Sequence, residues 1–397
     1  MSQRRRIYLD HASSSPLRPS VAEAMTPWLS AADPGRLHEE GRASRSRLEE
    51  AREKVASMLG AKPREVVFTS GASESINSAV YGAFASREER HAVVAKVESA
   101  AVREASSRWA GGLRWVDVDS NGRVDLDHFA AQIAHGDVAL AHCQLANQEV
   151  GTLQPLAEAT AICQKAGVLL HVDATAALGA LTIDFSAVGC DLMSVSCHQA
   201  GGPHDIGALL VKRGLRVTPM IVGGLQERAR RAGLENVAAA AGFAALADIL
   251  SDAETLRKEV AVASDQTRRI RDFSESLGGV SLYGPAEPDG RLAGLVCLGF
   301  RDLEAEPVLV GLDQHGVAAH SGSSCSSELL EPSPVLAAMG ADSDRSLRLS
   351  VGWSTTESEV TSACDSLANV VTELRLLRAS LSDSRSPNGS PPRSVSA

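Results

Sequence analysis

The sequence predicts an α/β protein in which a large, mostly parallel sheet domain is followed by a smaller α+β domain. Three observations carry this. A chain of 397 residues exceeds the usual size of one compact core. Between about residues 60 and 215, short apolar runs alternate with amphipathic stretches, as in a parallel sheet covered on both faces. From Leu250 onward the alternation gives way to a long charged helical pattern and a helix-strand-helix close. In order, the strand-like runs are Val66-Val-Phe-Thr69, Ala92-Val-Val-Ala95, Val138-Ala-Leu-Ala141, Val168-Leu-Leu-His-Val-Asp173, Asp191-Leu-Met-Ser-Val195 and Ala208-Leu-Leu-Val211. A charged helix is expected over residues 253–277 and a strand over Gly294-Leu-Val-Cys-Leu-Gly299. The expected division is a large domain over 17–250, a small domain over 1–16 and 251–379, and a disordered Ser-, Pro- and Arg-rich tail over 380–397.

Composition narrows the function classes. The formal charge of -10, from 49 acidic against 39 basic residues, argues against a dedicated nucleic-acid surface. Arg4-Arg5-Arg6 leads into Ile7-Tyr8 with no apolar stretch behind it, and no apolar run is long enough to span a bilayer, so a cytoplasmic location without membrane attachment is expected. The seven cysteines are scattered and lack any C-x-x-C spacing, which suggests neither a disulfide framework nor a zinc site. Cys190, Cys197, His198 and His204 lie close in sequence but match no common zinc pattern, so no metal is expected.

The chemistry-bearing residues begin with Phe68-Thr-Ser-Gly71-Ala-Ser73-Glu, a strand, a glycine turn and a helix start. Free backbone N–H groups at such a turn suit a phosphate, although a plain capped turn reads equally well. Asp173 ends a strand, where ligands of open α/β sheets sit, and a carboxylate there can keep a pyridine nitrogen protonated or merely cap the next turn.

Taken with Tyr8-Leu-Asp-His11-Ala, His38-Glu-Glu-Gly-Arg42, Asn147-Gln-Glu-Val-Gly151, His171-Val-Asp173-Ala, Gln226-Glu-Arg-Ala-Arg-Arg-Ala-Gly233, Ser321-Gly-Ser-Ser-Cys325 and Leu347-Arg348-Leu-Ser, these segments resemble the cysteine desulfurases. Those are class V aminotransferase-type enzymes of the pyridoxal phosphate (PLP) fold-type I group that feed iron–sulfur cluster assembly and thiolation. The resemblance runs from residue 7 to about 375 and implies a fold-type I architecture, PLP as cofactor and a homodimer that delivers sulfur to an acceptor or scaffold protein. It further implies that Asp173 partners the pyridine nitrogen, that Ser73, Ser196 and His198 hold the phosphate, and that Arg348 anchors the substrate carboxylate. Cys325 corresponds to the loop cysteine that accepts sulfur as a persulfide.

Five positions depart from the family pattern. Gln199 stands where the lysine forms the Schiff base, and an amide cannot form that imine. Ser99 replaces a histidine that stacks on the ring, Gln148 an asparagine that contacts the ring hydroxyl, Ala176 lies where a glutamine is usual, and Leu234 replaces a threonine that reaches the partner's phosphate. Covalent attachment at the usual position is therefore not expected, and loss of a general acid–base alone forfeits roughly 10²–10⁴ in rate. Three functions follow: a degenerate desulfurase that keeps Cys325 as sulfur acceptor, a non-catalytic partner subunit, or a PLP-dependent cysteine desulfurase or lyase with altered cofactor anchoring. Cys325 as an inherited relic stands beside the first.

Overall fold

The computed structural model describes residues 6–87, 90–321 and 332–384. Its large sheet has seven strands: β1 (Val66–Thr69), β2 (His91–Ala95), β3 (Gly112–Val116), β4 (Val138–His142), β5 (Leu169–Asp173), β6 (Leu192–Ser196) and β7 (Gly207–Val211). Their spatial order is β1-β7-β6-β5-β4-β2-β3. β7 runs antiparallel to both β1 and β6, and every other neighbouring pair is parallel. The mostly parallel large domain was expected, and six of the strands fall within a residue or so of the apolar runs.

Strand alternation distributes these side chains to two cores. On β6, Met193 and Val195 join the core that also holds Val172 and Ala208, whereas Leu192 joins the opposite one with Leu140 and Leu209. Ser194 and Ser196 share the face of Leu192, and His171 and Asp173 share that of Leu169. That face is apolar at the base of the strands and polar toward their carboxyl ends, under the helices Ala72–Phe84 and Ala100–Trp109.

Gly112–Val116 was not anticipated. It is an edge strand with little buried surface, and Trp115 is exposed, so it lacks the continuous apolar run of the interior strands. The second unit is a four-stranded antiparallel sheet ordered His320–Ser321, Ser346–Ser350, Leu295–Phe300 and Val280–Tyr283. The charged helix Ala253–Ser276 and the final helix Glu357–Ser384 pack with it. Residues Ile7–Tyr8 pair in parallel with Val317–Ala318, so the amino terminus belongs to this sheet system. The final helix runs to Ser384, into the segment expected from residue 380 onward to be a disordered tail; residues 385–397 lie outside the described part.

Candidate active site

The turn from β1 into the helix Ala72–Phe84 is tight because two glycine backbones meet there. Gly71 has φ 153° and faces Gly207, where an added Cβ would lie 2.7 Å from Gly71 C and 2.7 Å from Val195 O. Gly207 is the register partner of Ser196, so the close approach sets Ser196 against the helix start. Gly207→Ala is expected to lower unfolding stability by about 1–3 kcal/mol in a urea titration, because backbone rather than a flexible side chain must give way.

Beyond the carboxyl ends of β4, β5 and β6 lies a cleft of about 930 Å³ lined by Ser73, Ser99, Gln148, Asp173, Ala176, His198, Gln199 and Arg348 among others. The topology thus gathers most of the expected site residues. Ser196 sits at the end of β6, 1% exposed, with its hydroxyl unpartnered. Leu234 is 64% exposed and lines a neighbouring pocket beside Ser70 and Arg231, away from the cleft. Cys325 lies outside the described residues. Cys190 and Cys197 are buried, and no metal-binding group of His, Cys, Asp and Glu occurs among the described residues.

Asp173 is held from two sides: its Oδ1 accepts from the Thr175 amide at 3.0 Å and its Oδ2 from the Ser99 hydroxyl at 3.0 Å. Ser99 therefore turns back onto the carboxylate. Next to it, Glu98 is fully buried; its Oε1 accepts from the Gln144 amide at 2.7 Å and its Oε2 has no partner. Burial, with the charge of Asp173 nearby, pushes the Glu98 carboxyl up to about 8. Nothing in the sequence around Glu98 announces this burial.

Arg348 is 1% exposed. One terminal nitrogen donates to Asp10 Oδ1 at 2.8 Å and to Ser13 Oγ at 2.6 Å, the other to the Gln148 carbonyl at 3.1 Å, and Nε has no partner. Asp10 was part of a recognised motif without an assigned role; the structure makes it the counter-ion of Arg348, across 338 residues of sequence.

Gln199 lies between two cavities, the cleft and a smaller one bordered by His11, Arg18, Glu259 and Trp353. Its backbone carbonyl accepts from Ser15 Oγ at 2.6 Å, and the Ser15 amide donates to the His198 carbonyl at 3.0 Å. Because the Ser15 hydroxyl spends its proton there, it accepts from His11 Nδ1 at 2.7 Å, leaving His11 Nε2 to accept from Thr355 Oγ1 at 3.1 Å. Burial lowers the His11 imidazole to about 4. The Gln199 side-chain oxygen is buried without a partner. His198 stacks on His204 with ring centroids 5.8 Å apart; burial, then the neighbouring ring, lowers its imidazole below the ordinary value, and Nδ1 is unpartnered.

A second brace holds the wall beside the turn. Glu227, Arg228 and Ala229 adopt left-handed φ of 47°, 59° and 61°. The buried Arg52 guanidinium grips Glu227 through two hydrogen bonds of 2.6 and 2.7 Å, and Arg231 pairs with Glu74 at 2.8 Å. The Gln226–Gly233 motif is thus a clamp on the first turn of the helix after Gly71.

Open amides at a helix start, buried unpartnered atoms on Ser196 and His198, and a carboxylate at a strand end fit the phosphate and ring nitrogen of a PLP-type cofactor. The anchoring end does not fit, since no lysine lines the cleft among the described residues. Lys96 pairs with Asp117 at 2.5 Å and Lys212 with Asp191 at 3.2 Å, both outside it.

The sheet order, the glycine turn and the ligand face at the strand ends define the α/β architecture of the fold-type I PLP enzymes. The chain belongs to the class-V aminotransferase family, which matches residues 7–362. It is 38% identical to an IscS-like cysteine desulfurase of Mycobacterium tuberculosis over 93% of this chain and 97% of the relative. It is 36% identical to the cysteine desulfurase IscS of Dictyoglomus turgidum, over 94% and 96%. Among solved structures it resembles a NifS-like protein, with a TM-score of 0.85 and 27% identity over 93% of this chain and 100% of that one.

Proposed function

We propose that this chain is a cysteine-desulfurase-like protein of sulfur transfer that does not perform the imine-anchored chemistry of its relatives. In this reading it acts through Cys325 as a persulfide or sulfur acceptor, or as a non-catalytic partner in a sulfur-transfer assembly. The observation that carries it is Gln199 in a cleft that no lysine lines among the described residues. A bound cofactor would supply an electron-withdrawing ring; Ser73, Ser196 and His198 would hold its phosphate and Asp173 its ring nitrogen, but no side chain there offers a primary amine to take and return the substrate proton. A homodimer in the cytoplasm is the proposed setting. Val222, Leu225 and Leu234, exposed by 77%, 84% and 64% on one loop region, support pairing with a second copy. No helix among the described residues is long and apolar enough to cross a membrane.

A second reading, an active PLP-dependent desulfurase or lyase with altered anchoring, draws support from Asp173, Arg348 and the glycine turn, all in place. One experiment separates the two: purified protein is given PLP and cysteine while visible absorption and alanine are followed. No chromophore and no alanine are expected; alanine at a rate within about tenfold of the relatives overturns the first reading. Incubation with a small-molecule persulfide donor, followed by peptide mass spectrometry, is expected to place one added sulfur on Cys325. An unmodified Cys325 removes the acceptor role and leaves the partner role.

A further inference from the structure

Away from the cleft, a hollow of about 670 Å³ lies where β1 begins and β7 ends, lined by Lys62, Arg64, Lys212, Arg213, Arg228 and Arg230. Val211 is the register partner of Leu192 and Gly207 that of Ser196, so the hollow sits at the opposite end of the strands from the cleft. The chain as a whole carries a formal charge of -10, and a concave site of six cations inverts that sign locally. The carboxylates along the hollow do not cancel them. Glu65 accepts from the amides of Lys62 at 2.8 Å and Arg213 at 3.0 Å, and Glu49 pairs with Arg228 at 3.1 Å. Lys212 turns out to Asp191 at 3.2 Å, and Glu53 is exposed at the rim. Lys62, Arg64, Arg213 and Arg230 are left with no carboxylate partner among the described residues. The half-buried Arg230 guanidinium reaches only the carbonyls of Glu227 and Val66, both at 3.3 Å. Burial lowers it to about 10; Glu227 opposes this, and the like charges of Arg228 and Arg52 add to it. The backbone that carries it is strained, with left-handed φ at Glu227, Arg228 and Ala229. That loop is gripped at Glu227 by Arg52 and at Arg231 by Glu74, and the two arginines that line the hollow stand between the grips.

We propose that this hollow binds a small ligand bearing several linked phosphate groups, a triphosphate chain in particular. Guanidinium groups fork onto phosphate oxygens in bidentate pairs, and Arg64, Arg213 and Arg230 are three such groups without a carboxylate to hold them. The volume falls within the roughly 300–1,000 Å³ of small-molecule pockets, which favours a compact ligand. No aromatic side chain lines the hollow, so the phosphates rather than a stacked base carry the recognition. The inference is independent of what position 199 does.

Isothermal titration of the full chain tests it with inorganic triphosphate, ATP, orthophosphate and a short polyglutamate peptide. Inorganic triphosphate is expected to bind at least about tenfold tighter than orthophosphate, since it engages more than one guanidinium, and to weaken as salt is added. ATP against inorganic triphosphate tells a nucleotide from a bare polyphosphate, and preferential binding of either supports the proposal. The double variant Arg64→Gln/Arg213→Gln changes two exposed side chains that make no hydrogen bond among the described residues, so it is expected to fold. It should weaken triphosphate by about tenfold or more, the scale of two lost charge-assisted hydrogen bonds at an exposed site. Lys165→Gln/Lys258→Gln removes the same charge from exposed positions outside the hollow and should leave the affinity within about twofold of the wild type. No binding of either triphosphate overturns the proposal, as does a loss equal in both double variants or binding that survives Arg64→Gln/Arg213→Gln. Polyglutamate binding as tightly as triphosphate also overturns it and makes the hollow part of a surface for acidic proteins.

Discussion

Gln199→Lys is expected to turn a colourless protein into one that takes up PLP covalently. The expected signs are a visible absorption band and, after borohydride reduction, a phosphopyridoxyl adduct on the peptide that contains position 199. The geometry is prepared for it. The carbonyls of residues 198 and 199 are held by Ser15, Asp173 is fixed by Thr175 and Ser99, and residue 199 lines the cleft together with Asp173. Alanine release from cysteine should rise by roughly 10² or more over the wild type, the lower part of the range that a restored general acid–base contributes. A combined Gln199→Lys and Ser99→His protein should exceed the single variant. A lysine variant that binds PLP only reversibly, without an adduct, would mean that the backbone at 199 does not present its side chain to the cofactor.

The second large effect concerns stability. Glu98 has a folded value near 8 against an ordinary value of 4.5, so folding is penalised progressively as pH rises from 4.5 to 8. At pH 7 that penalty is about 3 kcal/mol, at 1.36 kcal/mol for each unit above the unfolded value. Burial is its main cause; the charge of Asp173 adds to it, and the Gln144 amide and Arg103, which favour the charged form, oppose it. Buried histidines act with the opposite sign. His11 is lowered to about 4 and His171 to about 3, and His142, joined to His171 through facing Nδ1 atoms 3.0 Å apart, is lowered as well. Each contributes stability that is present above pH 6.5 and lost as pH falls, about 2 kcal/mol for His11 and for His171 at pH 5. The histidines outnumber Glu98 below 6.5, so stability should peak near pH 6.5 and decline toward pH 8. Glu98→Gln, which keeps an acceptor for the Gln144 amide, should flatten the alkaline limb and leave the acid limb in place. Urea midpoints measured between pH 5 and 8.5 decide the matter; an unchanged decline above pH 6.5 in the variant would refute the assignment.

What could be read from the sequence follows from how each feature is encoded. Interior strands such as 138–142 and 192–196 are buried on both faces, so they open on an apolar run and turn polar only toward their carboxyl ends. The edge strand Gly112–Val116 has no such constraint, and the two-residue pairings at Ile7–Tyr8 and His320–Ser321 are too short to carry a period. In the cleft, Ser73 and Asp173 stand out in the sequence because they belong to a glycine turn and a strand end, whereas His198 and Gln199 are picked out only by the family resemblance. The Asp10–Arg348 pair is not legible, because it joins the segment after Ile7–Tyr8 to the strand Ser346–Ser350 through the folded chain alone. Glu98 was equally silent: a carboxylate between two small-residue segments reads as a solvated charge until the burial around it is known.

Ser15 secures position 199 through main-chain atoms, so the fold spends nothing on the identity of the side chain there. Any glutamine codon becomes a lysine codon by a single base substitution. The lysine that the family resemblance places at position 199 is therefore one base substitution away, while the histidine it places at position 99 lies farther off.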